Sequence, residues 1–279
     1  HVFTKGQASI FNGSFVINYT LVAGGCTAVD STTITVFASY NSTISPVAPV
    51  CVGSGTFLLS AATGGGTWSG TGITSATSGS YNPTTAGTFP VIYTISGACG
   101  SADTVNVVVQ NIPDATITAV APICVGSAPF NMTAATAGGT WTGSGITSAT
   151  LGTFNPLSAG TYTITYTITG ACNASATSTV LVNALPTPTF SANQFSGCVP
   201  FCVNFVEAGS TSCVSQSYDF GDGSTSTASS PTHCYTVAGV YSVSISCTDA
   251  NGCVGTQTNT NMITANAMPT ASFVFSPAS

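Results

Sequence analysis

A shift of 73 residues lays this chain on itself. It carries Cys51 onto Cys124, Trp68 onto Trp141 and Cys99 onto Cys172, and the text between matches without a gap. Residues 61–79, AATGGGTWSGTGITSATSG, stand against residues 134–152, AATAGGTWTGSGITSATLG. A fixed period constrains a fold more than local propensity does, because every copy must build the same unit. The same shift carries Cys26 onto Cys99 and Asp30 onto Asp103, so residues 13–37 read as the back half of a third copy. The partner of Cys26 is then expected before residue 1. At the other end, ALPTPTF at 184–190 recurs loosely as AMPTASF at 267–273. The sequence therefore reads as a window on a longer polypeptide. Residues 1–39 are the C-terminal half of one repeat, 40–112 and 113–185 are whole repeats, 186–266 are a different unit, and 267–279 begin another.

Each repeat carries strand signals. Residues 161–169 read TYTITYTIT, with Tyr162, Ile164, Tyr166 and Ile168 on one face and threonines on the other. That is period two, built from β-branched and aromatic residues. Phe89, Val91, Tyr93 and Ile95 keep the pattern in one copy, and Phe15, Ile17, Tyr19 and Leu21 in another. A Gly-Ala-Cys-like turn and a second alternating run follow each. No helical period of useful length is present. The predicted class is all-β: tandem immunoglobulin-like β-sandwich domains. Cores this small gain from staples. Each whole repeat holds two cysteines, so the expected pairs are Cys51–Cys99 and Cys124–Cys172. Each would close a loop of about 50 residues, worth roughly 4 kcal/mol in chain entropy. Trp68 and Trp141, flanked by glycines, are expected in the core rather than on a sugar-stacking platform.

Charge narrows the function. Eight side chains of 279 are formally charged: Lys5, Glu207 and Asp at 30, 103, 114, 219, 222 and 249. Ordinary domain surfaces are about 25–35% charged. The 43% hydrophobic content is that of a folded protein, not a polar tract. A single cation cannot neutralise a phosphate backbone, which excludes nucleic acid as a partner. No apolar run reaches the roughly 20 residues of a membrane helix. The eleven cysteines include no CxxC pair, so disulfides and an oxidising, extracellular or cell-surface location are expected rather than metal.

Residues 186–266 break the 73-residue register and hold six of the cysteines. They contain Tyr218-Asp219-Phe220-Gly221-Asp222-Gly223, then Pro231-Thr232-His233-Cys234-Tyr235, then Gly239-Val240-Tyr241-Ser242-Val243, and close on Asn251-Gly252-Cys253. This linked set resembles a PKD (polycystic-kidney-disease-type) domain. The resemblance implies an immunoglobulin-like sandwich used as an extracellular spacer or adhesion module. The preceding units resemble the Ig-like repeats that accompany such domains in long surface proteins of Bacteroidetes. Six cysteines allow 15 pairings. Sandwich geometry favours Cys198–Cys253 across the ends of the unit and Cys213–Cys247 between neighbouring strands, which leaves Cys202–Cys234. Asp219 and Asp222 are read as turn-forming carboxylates, since two fall short of the six to eight oxygens calcium takes.

No constellation for catalysis stands out. His233 lies in the PKD-like motif and His1 at the chain end, and neither arginine nor an internal second histidine completes a triad or phosphate clamp. Glu207 lacks a carboxylate partner for glycosidase chemistry. Lys5 alone cannot supply Lys–Asn crosslinks to four units. No enzyme, metal or cofactor is expected. Asp30-Ser31-Thr32 and Asp103-Thr104-Val105 resemble the O-glycosylation acceptor of Bacteroidetes, which makes Ser31 and Thr104 candidate sugar carriers. Asn12, Asn18, Asn41, Asn131 and Asn173 begin N-x-S/T sequons.

The function expected is a structural segment of a long extracellular repetitive protein. Its partners would be identical chains or neighbouring repeats, with glycans as a second class. Near-absence of charge removes the repulsion that holds proteins apart. Two alternatives are the spacer of an adhesin that projects a binding tip, and an accessory region of a secreted glycan-degrading enzyme.

Overall fold

The computed structural model describes residues 13–208 and 213–274. His1, Lys5 and Asn12 lie outside the described residues. Among the described residues every regular element is a strand. The chain divides into two compact units: residues 1–113 with 169–174, and residues 114–168 with 175–279.

The first unit opens with a hairpin, β1 (Gly13–Ala23) and β2 (Cys26–Val36), which forms a two-stranded sheet of its own. Gly24 and Gly25 turn it with φ of 58° and 81°, the left-handed pair that matches strand twist in a tight hairpin. Seven strands follow: β3 (Val50–Cys51), β4 (Phe57–Leu58), β5 (Thr67–Gly70), β6 (Ile73–Ser75), β7 (Ser80–Tyr81), β8 (Gly87–Ile95) and β9 (Ser101–Gln110). They make a four-stranded sheet in the order β3-β9-β8-β5 and a three-stranded sheet β4-β7-β6. One core joins Trp68, Val91, Tyr93, Val107 and Val109 of the larger sheet to Tyr81 of the smaller. The alternation along β8 is the cause: Val91, Tyr93 and Ile95 are buried, and the residues between them are not.

The second unit repeats this plan with β10 (Ile123–Cys124), β11 (Phe130–Asn131), β12 (Thr140–Gly143), β13 (Ile146–Ser148), β14 (Thr153–Phe154), β15 (Gly160–Ile168) and β16 (Ala174–Asn183). Its sheets run β10-β16-β15-β12 and β11-β14-β13. Eight more strands complete it: β17 (Phe190–Ala192), β18 (Ser196–Cys198), β19 (Phe201–Glu207), β20 (Cys213–Asp219), β21 (Thr225–Ser226), β22 (Thr232–Tyr235), β23 (Gly239–Asp249) and β24 (Val254–Asn266). These form β17-β19-β22 and β18-β24-β23-β20-β21 around Phe205, Tyr218, Phe220, Tyr235 and Ile245. The molecule is all-β, built of tandem immunoglobulin-like sandwiches.

The glycine-tryptophan stretch is a packing device. Trp68 and Trp141 are each 5% exposed. Their rings lie 4.5 and 4.4 Å from Tyr93 and Tyr166. The Tyr93 hydroxyl donates to the Thr63 carbonyl and accepts from the Gly66 N–H, both at 2.7 Å. Tyr166 does the same with Thr136 and Gly139. A Cβ on Gly66 would meet the Tyr93 ring at 2.6 Å, and one on Gly79 would meet the Trp68 indole at 2.7 Å.

Candidate functional site

The cysteines fall into two structural classes. The first sits in a short strand in the early part of each sandwich, which pairs in parallel with the last strand. Cys51 stands opposite Gln110, Cys124 opposite Asn183 and Cys198 opposite Asn266. The next residue locks each register: the N–H of Val52, Val125 and Val199 donates to the carbonyl of that same partner at 2.9–3.0 Å. We call these front cysteines. The second class lies in the turn of the closing hairpin: Cys99 between β8 and β9, Cys172 between β15 and β16, and Cys253 between β23 and β24. These are back cysteines. Cys26, at the β1–β2 turn opposite Ala23, is a fourth.

Front and back cysteines of one sandwich cannot reach each other. Cys51 lies beside the end of β9 and Cys99 beside its beginning, so the ten residues of β9 separate them by roughly 30 Å. A disulfide needs Cα atoms within about 7 Å. The expected Cys51–Cys99 and Cys124–Cys172 bonds are therefore corrected. So is Cys198–Cys253, because the thirteen residues of β24 hold that pair roughly 40 Å apart. The bonds instead run from one repeat to the next. Cys51 joins Cys172 and Cys124 joins Cys253, each with a Cα separation of 5.6 Å. Each bond lies wholly inside one of the two units. Cys202–Cys234 and Cys213–Cys247 are also bonded. Cys26, Cys99 and Cys198 are unbonded thiols.

Local structure presents the back cysteines. Asp249 is buried, and one carboxylate oxygen accepts the N–H of Asn251 at 2.9 Å and of Cys253 at 2.8 Å. With the Asp249 N–H donating to the Cys253 carbonyl, the carboxylate shapes the Asp-Ala-Asn-Gly-Cys turn. The Asp103 carboxylate accepts the Ile44 N–H at 2.8 Å, tying the closing hairpin to the first half of its repeat. That bond gives Asp103 a structural reason independent of glycosylation. Ser31 and Thr104 are both exposed on their strands.

The Tyr218–Gly223 stretch is a folded clasp. Asp219 accepts the Gly221 N–H at 2.9 Å and Asp222 accepts the Ser224 N–H at 3.0 Å. Asp222 also meets the His233 Nε2 at 2.7 Å. The His233 ring stacks flat on Phe220 at 4.2 Å, and the Tyr235 hydroxyl donates to the Phe220 carbonyl. Gly221 has φ of 78°, and a Cβ there would strike the Ser242 carbonyl. The histidine and both carboxylates thus serve packing and turn geometry. Among the described residues no group of three His, Cys, Asp or Glu side chains converges as a metal site.

Residues 183–265 match the family model of the PKD domain. This stretch is a PKD domain. It is 43% identical over 91 residues to a microbial collagenase of Vibrio alginolyticus, covering 31% of this chain and 11% of the collagenase. The chain thus spans about a tenth of the curated relative it matches. The PKD1 domain of the Vibrio cholerae metalloprotease PrtV is 33% identical, with a TM-score of 0.25, covering 29% of this chain and 98% of that domain. A three-immunoglobulin fragment of titin, 14% identical with a TM-score of 0.40, covers 78% of this chain and 95% of that fragment. PKD domains are non-catalytic accessory domains, found in extracellular and secreted proteins, where disulfides persist.

Proposed function

We propose that this chain is a structural segment of a long extracellular repetitive protein that forms, or packs into, a filament, sheath or stalk. The observation that carries the reading is the bond pattern. Cys51–Cys172 and Cys124–Cys253 tie each whole repeat to the unit after it, so a run of such repeats becomes a covalent chain of sandwiches rather than beads on a linker. An enzyme or a soluble binding module gains little from such ties, whereas a fibre under tension gains directly. The low charge supports lateral packing, since threonine-rich faces desolvate at small electrostatic cost. No helix among the described residues is long and apolar enough to cross a membrane. Electron microscopy of unreduced native material tests this reading: continuous filaments with a regular repeat are expected. Isolated strings ending in a globular tip would replace it with an adhesin spacer. The collagenase match favours a second reading, an accessory region of a secreted enzyme, and a catalytic domain on the mature polypeptide would establish that instead.

A further inference from the structure

The unbonded Cys99 sits where the bonded Cys172 sits. The Cys172 Sγ lies 3.8 Å from the Gln110 carbonyl at the end of β9, beside the front cysteine it is joined to. The Cys99 Sγ lies 3.9 Å from the Phe37 carbonyl, just past the end of β2, and Phe37 is the counterpart of Gln110 in the 73-residue repeat. Beside β9 runs β3 with Cys51. Beside the end of β2 there is a groove of about 570 Å³, lined by Thr35, Val36, Phe37, Tyr40 and Cys99 among others.

The hairpin itself is half a sandwich. Tyr19 faces Asp30 across β1–β2 as Tyr93 faces Asp103 across β8–β9. Yet Tyr19 is 64% exposed where Tyr93 is 2%. Phe15, Leu21 and Ile34 are likewise exposed, while Ile95 and Val107 in matching places are buried. Asp103 binds a first-half backbone N–H, whereas Asp30 accepts the N–H of its neighbour Ser31. A two-stranded hairpin is marginal in water without a covered face. Both the apolar face and the thiol have occupied equivalents in the next repeat.

We propose that the β1–β2 face and the groove below Cys99 take the first half of another copy of this repeat, a segment built like residues 40–86, with its front cysteine bonded to Cys99. Its short cysteine strand adds in parallel to the end of β2, and its remaining strands cover Phe15, Tyr19 and Ile34. Two thiols lose two protons and two electrons in forming the bond, and a small-molecule disulfide takes them up. The inference rests on the repeat geometry and not on filament formation.

A peptide of residues 40–86, whose one thiol is Cys51, is incubated with the unreduced full chain in oxidised and reduced glutathione. Each coupling yields one peptide–protein disulfide and two reduced glutathiones. The peptide should couple to Cys99 about tenfold or more faster than to Cys26 or Cys198, because docking raises its local concentration. A scrambled peptide should show no such preference, and denaturant should abolish it. The Cys51→Ser peptide should still slow amide exchange in β2. Equal coupling to all three thiols, or equal rates for the scrambled peptide, would overturn the proposal.

Discussion

Single side chains in this protein are placed by contact rather than by charge. Gly79 and Gly152 have φ of 71° and 67° and lie under the two indoles. Alanine at either position must strain the backbone and displace a buried tryptophan, so each should cost about 2–3 kcal/mol, read as a lowered unfolding midpoint. Tyr218 differs from its neighbours. Its hydroxyl is buried without a hydrogen-bond partner, and burial, reinforced by Glu207, pushes its pKa up to about 12. Tyr218→Phe should be neutral or stabilise by up to about 1 kcal/mol, while Tyr235→Phe should cost about 1 kcal/mol through the lost bond to Phe220. Denaturant titration of the pair separates the two outcomes. Asp222 adds a pH dependence. Burial alone would raise its pKa, but the Ser224 N–H and the adjoining His233 ring outweigh it and hold the carboxyl below its ordinary 3.8. A lowered folded-state pKa stabilises fully above the unfolded value and is lost as pH falls through the folded one. Melting midpoints should thus fall below about pH 4, and Asp222→Asn should flatten part of that fall.

Strands and their turns were largely legible from residue order. Period-two runs marked β8, β15 and β1, and the linked YDFGDG, PTHCY and GVYSV stretches marked the PKD sandwich. Glycines beside Trp68 and Trp141 pointed to burial for the reason the packing shows. Cysteine pairing was legible only in part. Repetition reveals which cysteines are equivalent, but not which end of a sandwich each occupies. The deciding element is β3, two residues long and too short for any period. Its parallel pairing with the far end of β9 is a contact across some 60 residues of sequence. Asp249 was likewise recognisable only as one of few charges, because its bonds to the Cys253 turn depend on the folded hairpin. The bond across 129 residues between Cys124 and Cys253 should contribute roughly 5 kcal/mol in chain entropy. Cys253→Ser should lower the melting midpoint of the second unit accordingly, and removing Cys198 should not.

At the scale of the whole molecule, each of the two whole repeats is joined to the unit after it twice, once by the main chain and once by sulfur. A cut in the main chain between repeats should therefore leave the pieces attached. Cleavage at a protease site introduced at 111–113 should give one species without reductant and two with it, since Cys51–Cys172 spans the cut. Bonds confined within repeats would release both pieces at once. Such redundancy fits the structural role proposed above, and it gives the front and back cysteines a fixed direction along the chain. The most direct measurement of that direction is disulfide mapping of unreduced protein digested with pepsin, at an acidity that stops thiol exchange. The Cys51 peptide should be recovered bonded to that of Cys172, and the Cys124 peptide bonded to that of Cys253. Recovery of Cys51 with Cys99 and Cys124 with Cys172 would contradict it.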